Sequence, residues 1–257
     1  MARAKRHYLP GHVWHIMHRC HKKEFLLKFA RDRRRWVEWL FAAKKRYGLQ
    51  VLNYNVTSNH IHLLVLDGGD RHVIPDSIKL IAGRTAQEYN HRKNKKGAFW
   101  EDRYHATAIE SDEHLIKCLI YIDMNMVRTG VVNHPGDWGF CGYNEIQNPR
   151  QRYSIIDYST LTNLLQFSDY ENLVKSHKCW IDEALKANNL VRQDQWTQSI
   201  AVGSKTFLEK IKGNLKYRAK GRNIVETDSI NQLRESQTPY GNSEIIDYFS
   251  SNLYSWS

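Results

Sequence analysis

The chain has 257 residues, 41% hydrophobic and 25% charged, with a formal net charge of +11. That composition is ordinary for a globular protein and excludes wholesale disorder. No apolar run approaches the roughly 20 residues a membrane-spanning helix needs, no signal-peptide core follows the basic start, and four cysteines without a Cys-x-x-Cys pair exclude a disulfide-stapled or Cys-rich zinc module.

The predicted elements begin with a strand at Val13–His18, rich in apolar and aromatic residues. A helix follows from Asp32 to Tyr47, where Trp36, Val37, Leu40, Phe41 and Ala43 recur at helical spacing and Gly48 stops it. Leu49–Val56 and His60–Leu66 read as a hairpin closed by the turn Thr57-Ser58-Asn59. Pro75–Tyr89 reads as a second helix, His91–Gly97 as a basic loop and His105–Glu110 as a fourth strand. Ser111-Asp112-Glu113 is expected to cap a third helix running to about Arg128, before Gly130. The order β-α-β-β-α-β plus a helix predicts an α+β fold, a ferredoxin-like split βαβ on an antiparallel sheet. Residues 1–149 form the expected catalytic domain. Residues 150–257 are expected to form a mainly helical extension, with helices near 159–167, 170–187 and 204–218.

The charge is unevenly spread. Residues 1–50 hold 14 Lys and Arg against 3 Asp and Glu, while residues 51–170 hold 12 against 14. A local cationic field captures polyanions, so nucleic acid is the leading partner. The bland alternative is a solvated basic helix. Candidate DNA contacts are the arm Arg3, Lys5 and Arg6; Arg33, Arg34 and Arg35 in the first helix; Arg92, Lys93, Lys95 and Lys96 in the basic loop; and Arg103 and Arg128. Trp100 beside that loop reads as a core residue rather than a base-stacking one.

Two stretches carry chemistry. In His60-Ile61-His62, positions i and i+2 of a strand point to one face, so both imidazoles converge. Paired neutral imidazoles begin a metal site; a polar strand face is the alternative. On a helical wheel of residues 114–128, Leu115, Ile116, Leu119, Ile120, Ile122, Met126 and Val127 cover one arc, broken by Asp123. His114, Tyr121, Asn125 and Arg128 fall opposite, which predicts Tyr121 on a polar side, away from the core. A tyrosine hydroxyl can attack a phosphodiester to give a covalent phosphotyrosine, and a divalent metal would offset the developing charge.

These stretches resemble a known family. His60-Ile-His62 is similar to the His-hydrophobic-His motif of HUH endonucleases, and Tyr121-Ile-Asp-Met-Asn125 to the helix of their single-tyrosine transposase branch. The finer resemblance is to REP-associated tyrosine transposases. It rests on Ser58–Val65, Gly97–Tyr104, Ile109–Asp112 and Tyr121–Gly130 in that order, and covers roughly residues 8–146. The resemblance implies a metal-dependent endonuclease using Mg²⁺ or Mn²⁺. It implies action on single-stranded DNA with palindromic hairpins, through a 5′-phosphotyrosine, in the bacterial cytoplasm and nucleoid. By position, Tyr121 is the nucleophile, His60 and His62 are metal ligands and Asn125 is the third ligand. The chain departs from the family in having Thr57-Ser58 for the usual Met-Pro, and Met126 where a proline is usual, which should let the helix continue. A non-catalytic hairpin-DNA-binding protein of the same fold is the alternative. An HxH phosphoesterase with His105-Ala-Thr107 as a second motif is a weaker one.

Overall fold

The structure, a computed structural model, describes residues 9–187, 191, 193–226 and 230–235. Apolar and aromatic residues build the strands β1 (Val13–Arg19), β2 (Gln50–Val56), β3 (His60–Leu66) and β4 (His105–Ile109). They pair antiparallel in the order β2-β3-β1-β4, the order of a ferredoxin-like sheet. The helices between them are α1 (Ala30–Tyr47) and α2 (Val73–Lys93). Gly48 ends α1 in the left-handed conformation (φ 71°), its N–H bonding to the Lys44 carbonyl. Helix α2 is longer than expected. No breaker precedes Asn94, which ends the helix at φ 48°, so His91, Arg92 and Lys93 are helical and the basic loop shrinks to the residues after them.

Helix α3 (Glu113–Asp123) and the single turn α4 (Asn125–Arg128) follow β4. The chain stays helical to Arg128, as the missing proline predicts; the Arg128 N–H reaches the Met124 carbonyl at 2.9 Å. Asp112 precedes α3 at φ 71°, and its side chain makes no cap. Its carboxylate instead accepts a bond from Gln166 Nε2 at 3.1 Å.

Beyond residue 140 come α5 (Tyr143–Gln147), α6 (Tyr158–Leu164), α7 (Tyr170–Ala187), α8 (Gln195–Gln198) and α9 (Lys205–Leu215). This part is mainly helical, as expected. It also supplies three strands that the sequence did not announce: β5 (Ala201–Gly203), β6 (Arg222–Val225) and β7 (Asn231–Glu235). β5 runs parallel to β4, and the full order becomes β2-β3-β1-β4-β5-β7-β6. Strands of three to five residues are too short to show alternation. Ile155, Ile156, Leu161, Trp196, Val202 and Leu233 lie in the same buried cluster as Ile16, Leu40 and Leu63, so the extension shares one core with the first sheet.

Register assigns the two faces. Ile16, His18, Ile61, Leu63 and Val65 share one face. His18 stacks on Trp100 at 4.1 Å, and Trp100 donates to the Ala82 carbonyl of α2, so this face meets the long helices. His15, Asn53, Asn55, His62, Leu64 and Thr107 share the other. Asn55 donates to the Ile122 carbonyl and Asn53 to Asp123, both at 2.9 Å, which fixes α3 across this second face.

Candidate active site

The second sheet face carries the candidate residues. His60 and His62 project from β3 to the same side, with ring centroids 4.9 Å apart at 89°. Thr57 and Asn59 in the preceding turn hold His60: its Nδ1 lies 2.7 Å from Asn59 Oδ1 and 3.0 Å from Thr57 Oγ1. An amide oxygen only accepts, so the Nδ1 carries the proton and the lone pair sits on Nε2. His62 is buried. Its Nδ1 lies 2.9 Å from His15 Nε2, and Asn125 Nδ2 lies 3.1 Å from its Nε2. Burial, with His60 and His15 alongside, pushes the His62 pKa well below the usual imidazole value. Burial pushes His15 down to about 4. Both rings are therefore neutral near pH 7.

Tyr121 meets this cluster from α3. Its ring centroid is 5.6 Å from that of His62 and 6.0 Å from that of His15, both edge-on. The Arg128 guanidinium lies 4.2 Å from the tyrosine ring centroid and donates to the Tyr121 carbonyl at 2.7 Å. The helical spacing thus brings Tyr121, Asn125 and Arg128 together as expected. The wheel errs on exposure. Tyr121 is only 6% exposed, because Trp196 of α8 lies over this side, ring centroids 6.0 Å apart. His114 is buried as well. A wheel drawn for one helix cannot register a cover contributed some 75 residues later.

The donor set suits a divalent cation. Among the described residues no group of three His, Cys, Asp or Glu side chains forms a metal cage. The two imidazoles and the Asn125 amide are the candidate instead. Asn125 Oδ1 is buried with no hydrogen-bond partner, an unsatisfied acceptor oxygen on the side chain whose Nδ2 meets His62. His60 and His62 are both tethered through Nδ1, which would leave Nε2 as the ligating atom if a cation bound, the tethering typical of metal-bound imidazole.

Residues 9–125 match the model of the family described as transposase, IS200-like. That segment is just under half of the chain's 257 residues. Eight chains of known structure match as well. One is a REP-associated tyrosine transposase bound to a REP hairpin, at 19% identity over 60% of this chain and 90% of that one, TM-score 0.48. Another is a candidate transposase from Deinococcus radiodurans r1, at 18% identity over 51% and 98%, TM-score 0.34. No curated protein matches.

Several cations expected to meet DNA are held by partners within the protein. Arg33 is buried: Nη1 donates to the Leu27 and Lys28 carbonyls at 2.9 and 2.6 Å, and the guanidinium lies 4.7 Å from the ring centroids of Trp138 and Phe140. Burial lowers its pKa. Arg35 is paired with Glu88 and Glu38, and its hydrogen bond to Glu88 raises its pKa. Arg92 is paired with Asp32. Arg34, Lys93, Lys95, Lys96 and Arg103 are exposed, as the DNA-contact reading requires. Arg3, Lys5 and Arg6 lie outside the described residues. Trp100 packs against the core, as expected. His105 and Thr107 bond the Ser199 carbonyl at 2.9 and 2.7 Å, so they tie α8 to β4 and form no second HxT motif.

Sequence reasoning missed His15, Trp196 and Asp123. His15 carries a period-two signal in β1, but only the cross-strand register brings it to His62. Asp123 reads as a flaw in an apolar arc. Its carboxylate in fact accepts from Asn53 and, at 2.8 Å, from His177 of α7, joining three elements behind the site.

Proposed function

We propose that this protein nicks and rejoins single-stranded DNA at palindromic hairpin repeats, with Tyr121 as nucleophile. The observation that carries the reading is the convergence of Tyr121, Arg128, His62 and Asn125 on one sheet face. The family of residues 9–125 supports the reaction class. Tyr121 Oη forms a bond to phosphorus as the P–O3′ bond breaks. The hydroxyl proton is lost, and O3′ leaves to become a free hydroxyl once protonated. The product is a 5′-phosphotyrosine, whose bond energy is kept for rejoining. Arg128 beside the ring favours the phenolate and any phosphate brought to it.

His60, His62 and Asn125 would hold Mg²⁺ or Mn²⁺. Such an ion polarises a phosphate oxygen and offsets developing charge. Arg34, Arg103, Lys93, Lys95 and Lys96 supply exposed cations for the strand.

Labelled hairpins from repeats flanking the gene test this. With Mn²⁺ a site-specific nick is expected. With EDTA, or with Tyr121→Phe, none is expected. Metal-independent cleavage would contradict the reading.

One observation favours the alternative of a hairpin-binding protein without catalysis. Tyr121 is nearly closed off, so a phosphodiester reaches it only once the cover of Trp196 shifts. Hairpin affinity with no nick under any metal would select that alternative.

A further inference from the structure

The strongest feature left unused by the reaction is a chain of bonds running from the C-terminal extension into the metal-ligand set. His15 is fully buried. Its Nδ1 lies 2.7 Å from the Trp196 carbonyl, to which Thr107 Oγ1 also donates at 3.2 Å. Its Nε2 lies 2.9 Å from His62 Nδ1. The two rings stack, centroids 5.1 Å apart and 11° from parallel.

The roles follow from elementary constraints. A carbonyl oxygen only accepts, so His15 Nδ1 carries a proton. Among the described residues no carboxylate bonds either ring, and a charged imidazole there would be costly to bury. A neutral His15 then presents a lone pair at Nε2. The proton between the rings must sit on His62 Nδ1, and the His62 lone pair is left at Nε2, where Asn125 Nδ2 meets it.

We propose that His15 is a positioning residue that fixes the tautomer and ring orientation of His62 for metal binding, with the Trp196 backbone carbonyl as its anchor. This rests on the reading of His62 as a metal ligand. It gives the extension a role in the reaction: residues 194–199 complete the centre through a backbone atom, although they lie some 130 residues from the histidine they serve. It also explains a histidine at a fully buried position of a strand, where an apolar side chain would pack without a polar partner to satisfy.

The full-length protein is used for the test. Nitrogen-15 NMR of the metal-free protein, with His62 assigned by His62→Gln, should show a protonated Nδ1 and an unprotonated Nε2. Mn²⁺ binding alone, followed by electron paramagnetic resonance, should weaken about 10–100-fold in His15→Phe, which keeps a flat ring but offers no acceptor. His15→Gln returns an acceptor near the Nε2 position and should recover most of that loss. Thermal unfolding separates these effects from lost stability. A His62 ring protonated at Nε2 would overturn the proposal, as would a folded His15→Phe that binds Mn²⁺ like the parent. Should His15→Phe fail to fold, the parent tautomer and the His15→Gln affinity decide. Should the parent bind no Mn²⁺, the metal reading fails, and the tautomer measurement still decides the relay.

Discussion

Arg33 and the exposed lysines after α2 look alike in a sequence and do different work. Arg33 satisfies two carbonyls beside a pair of aromatic rings, whereas Lys95 and Lys96 stand in solvent. Removing a buried group with two hydrogen bonds costs about 2–3 kcal/mol. Arg33→Ala is therefore expected to lower the urea midpoint and leave hairpin affinity intact in the folded fraction. Lys95→Ala and Lys96→Ala are expected to leave the midpoint alone. Each should reduce the slope of log affinity against log salt by about 0.7 for single-stranded DNA. Filter binding across a salt series, beside urea melts, checks both. The juxtaposition of the candidate residues was legible because two short-range rules sufficed: period two in a strand for His60 and His62, and i to i+4 in a helix for Tyr121 and Asn125. Arg33 was misread because a run of charge in the sequence says nothing about which member turns inward.

At the scale of elements, the first six strands and helices follow from periodicity and their breakers. What was not legible is how the extension joins the sheet. β5 reaches β4 through three residues, and its last residue, Gly203, sits against α9 and Glu110. A Cβ at Gly203 would lie 2.5 Å from a Phe207 ring carbon and 2.8 Å from Glu110 Oε2. Glu110 accepts a bond from Ser204 Oγ at 2.9 Å, the residue that caps α9. Gly203→Ala should therefore destabilise by about 1–3 kcal/mol, an overpacking cost. Gly83 provides the opposite sign: it is an exposed interior residue of α2 with open space around a Cβ, and Gly83→Ala should stabilise by about 1 kcal/mol. Paired thermal melts test the two together. Equal melting temperatures for both variants would refute this account of the β5 junction.

At the scale of the whole molecule, the described residues bury three thiols, Cys20 and Cys118 in the main core and Cys141 in a smaller cluster with Met124 and Ile181. Cys20, Cys118 and Cys141 are buried and unpaired by disulfides. Burial pushes Cys20 and Cys141 up to about 12 and Cys118 well above its ordinary value of 9.0. In the unfolded chain these thiols ionise near 9.0, while the folded chain holds its protons. A raised folded pKa contributes stability that is complete below the unfolded value and lost as pH rises through the folded one. Urea midpoints in reductant should stay level from about pH 7 to 8.5 and decline steadily above 9; a midpoint level through pH 10 would contradict these burials. Composition foretold a cationic molecule, and the excess does fall in the first fifth of the chain. How much of it stays available was not legible, since the pairing of Arg35 and Arg92 with acids depends on α1 lying against α2.

Everything proposed about function turns on one covalent bond, between Tyr121 and a DNA 5′-phosphate. The direct measurement is peptide mass mapping of protein trapped on a hairpin oligonucleotide with Mn²⁺, digested with nuclease and protease. A nucleotide mass on the peptide that carries Tyr121, absent with EDTA, is the predicted result. A modification on another tyrosine, or a nicked hairpin with no modified peptide, would contradict it.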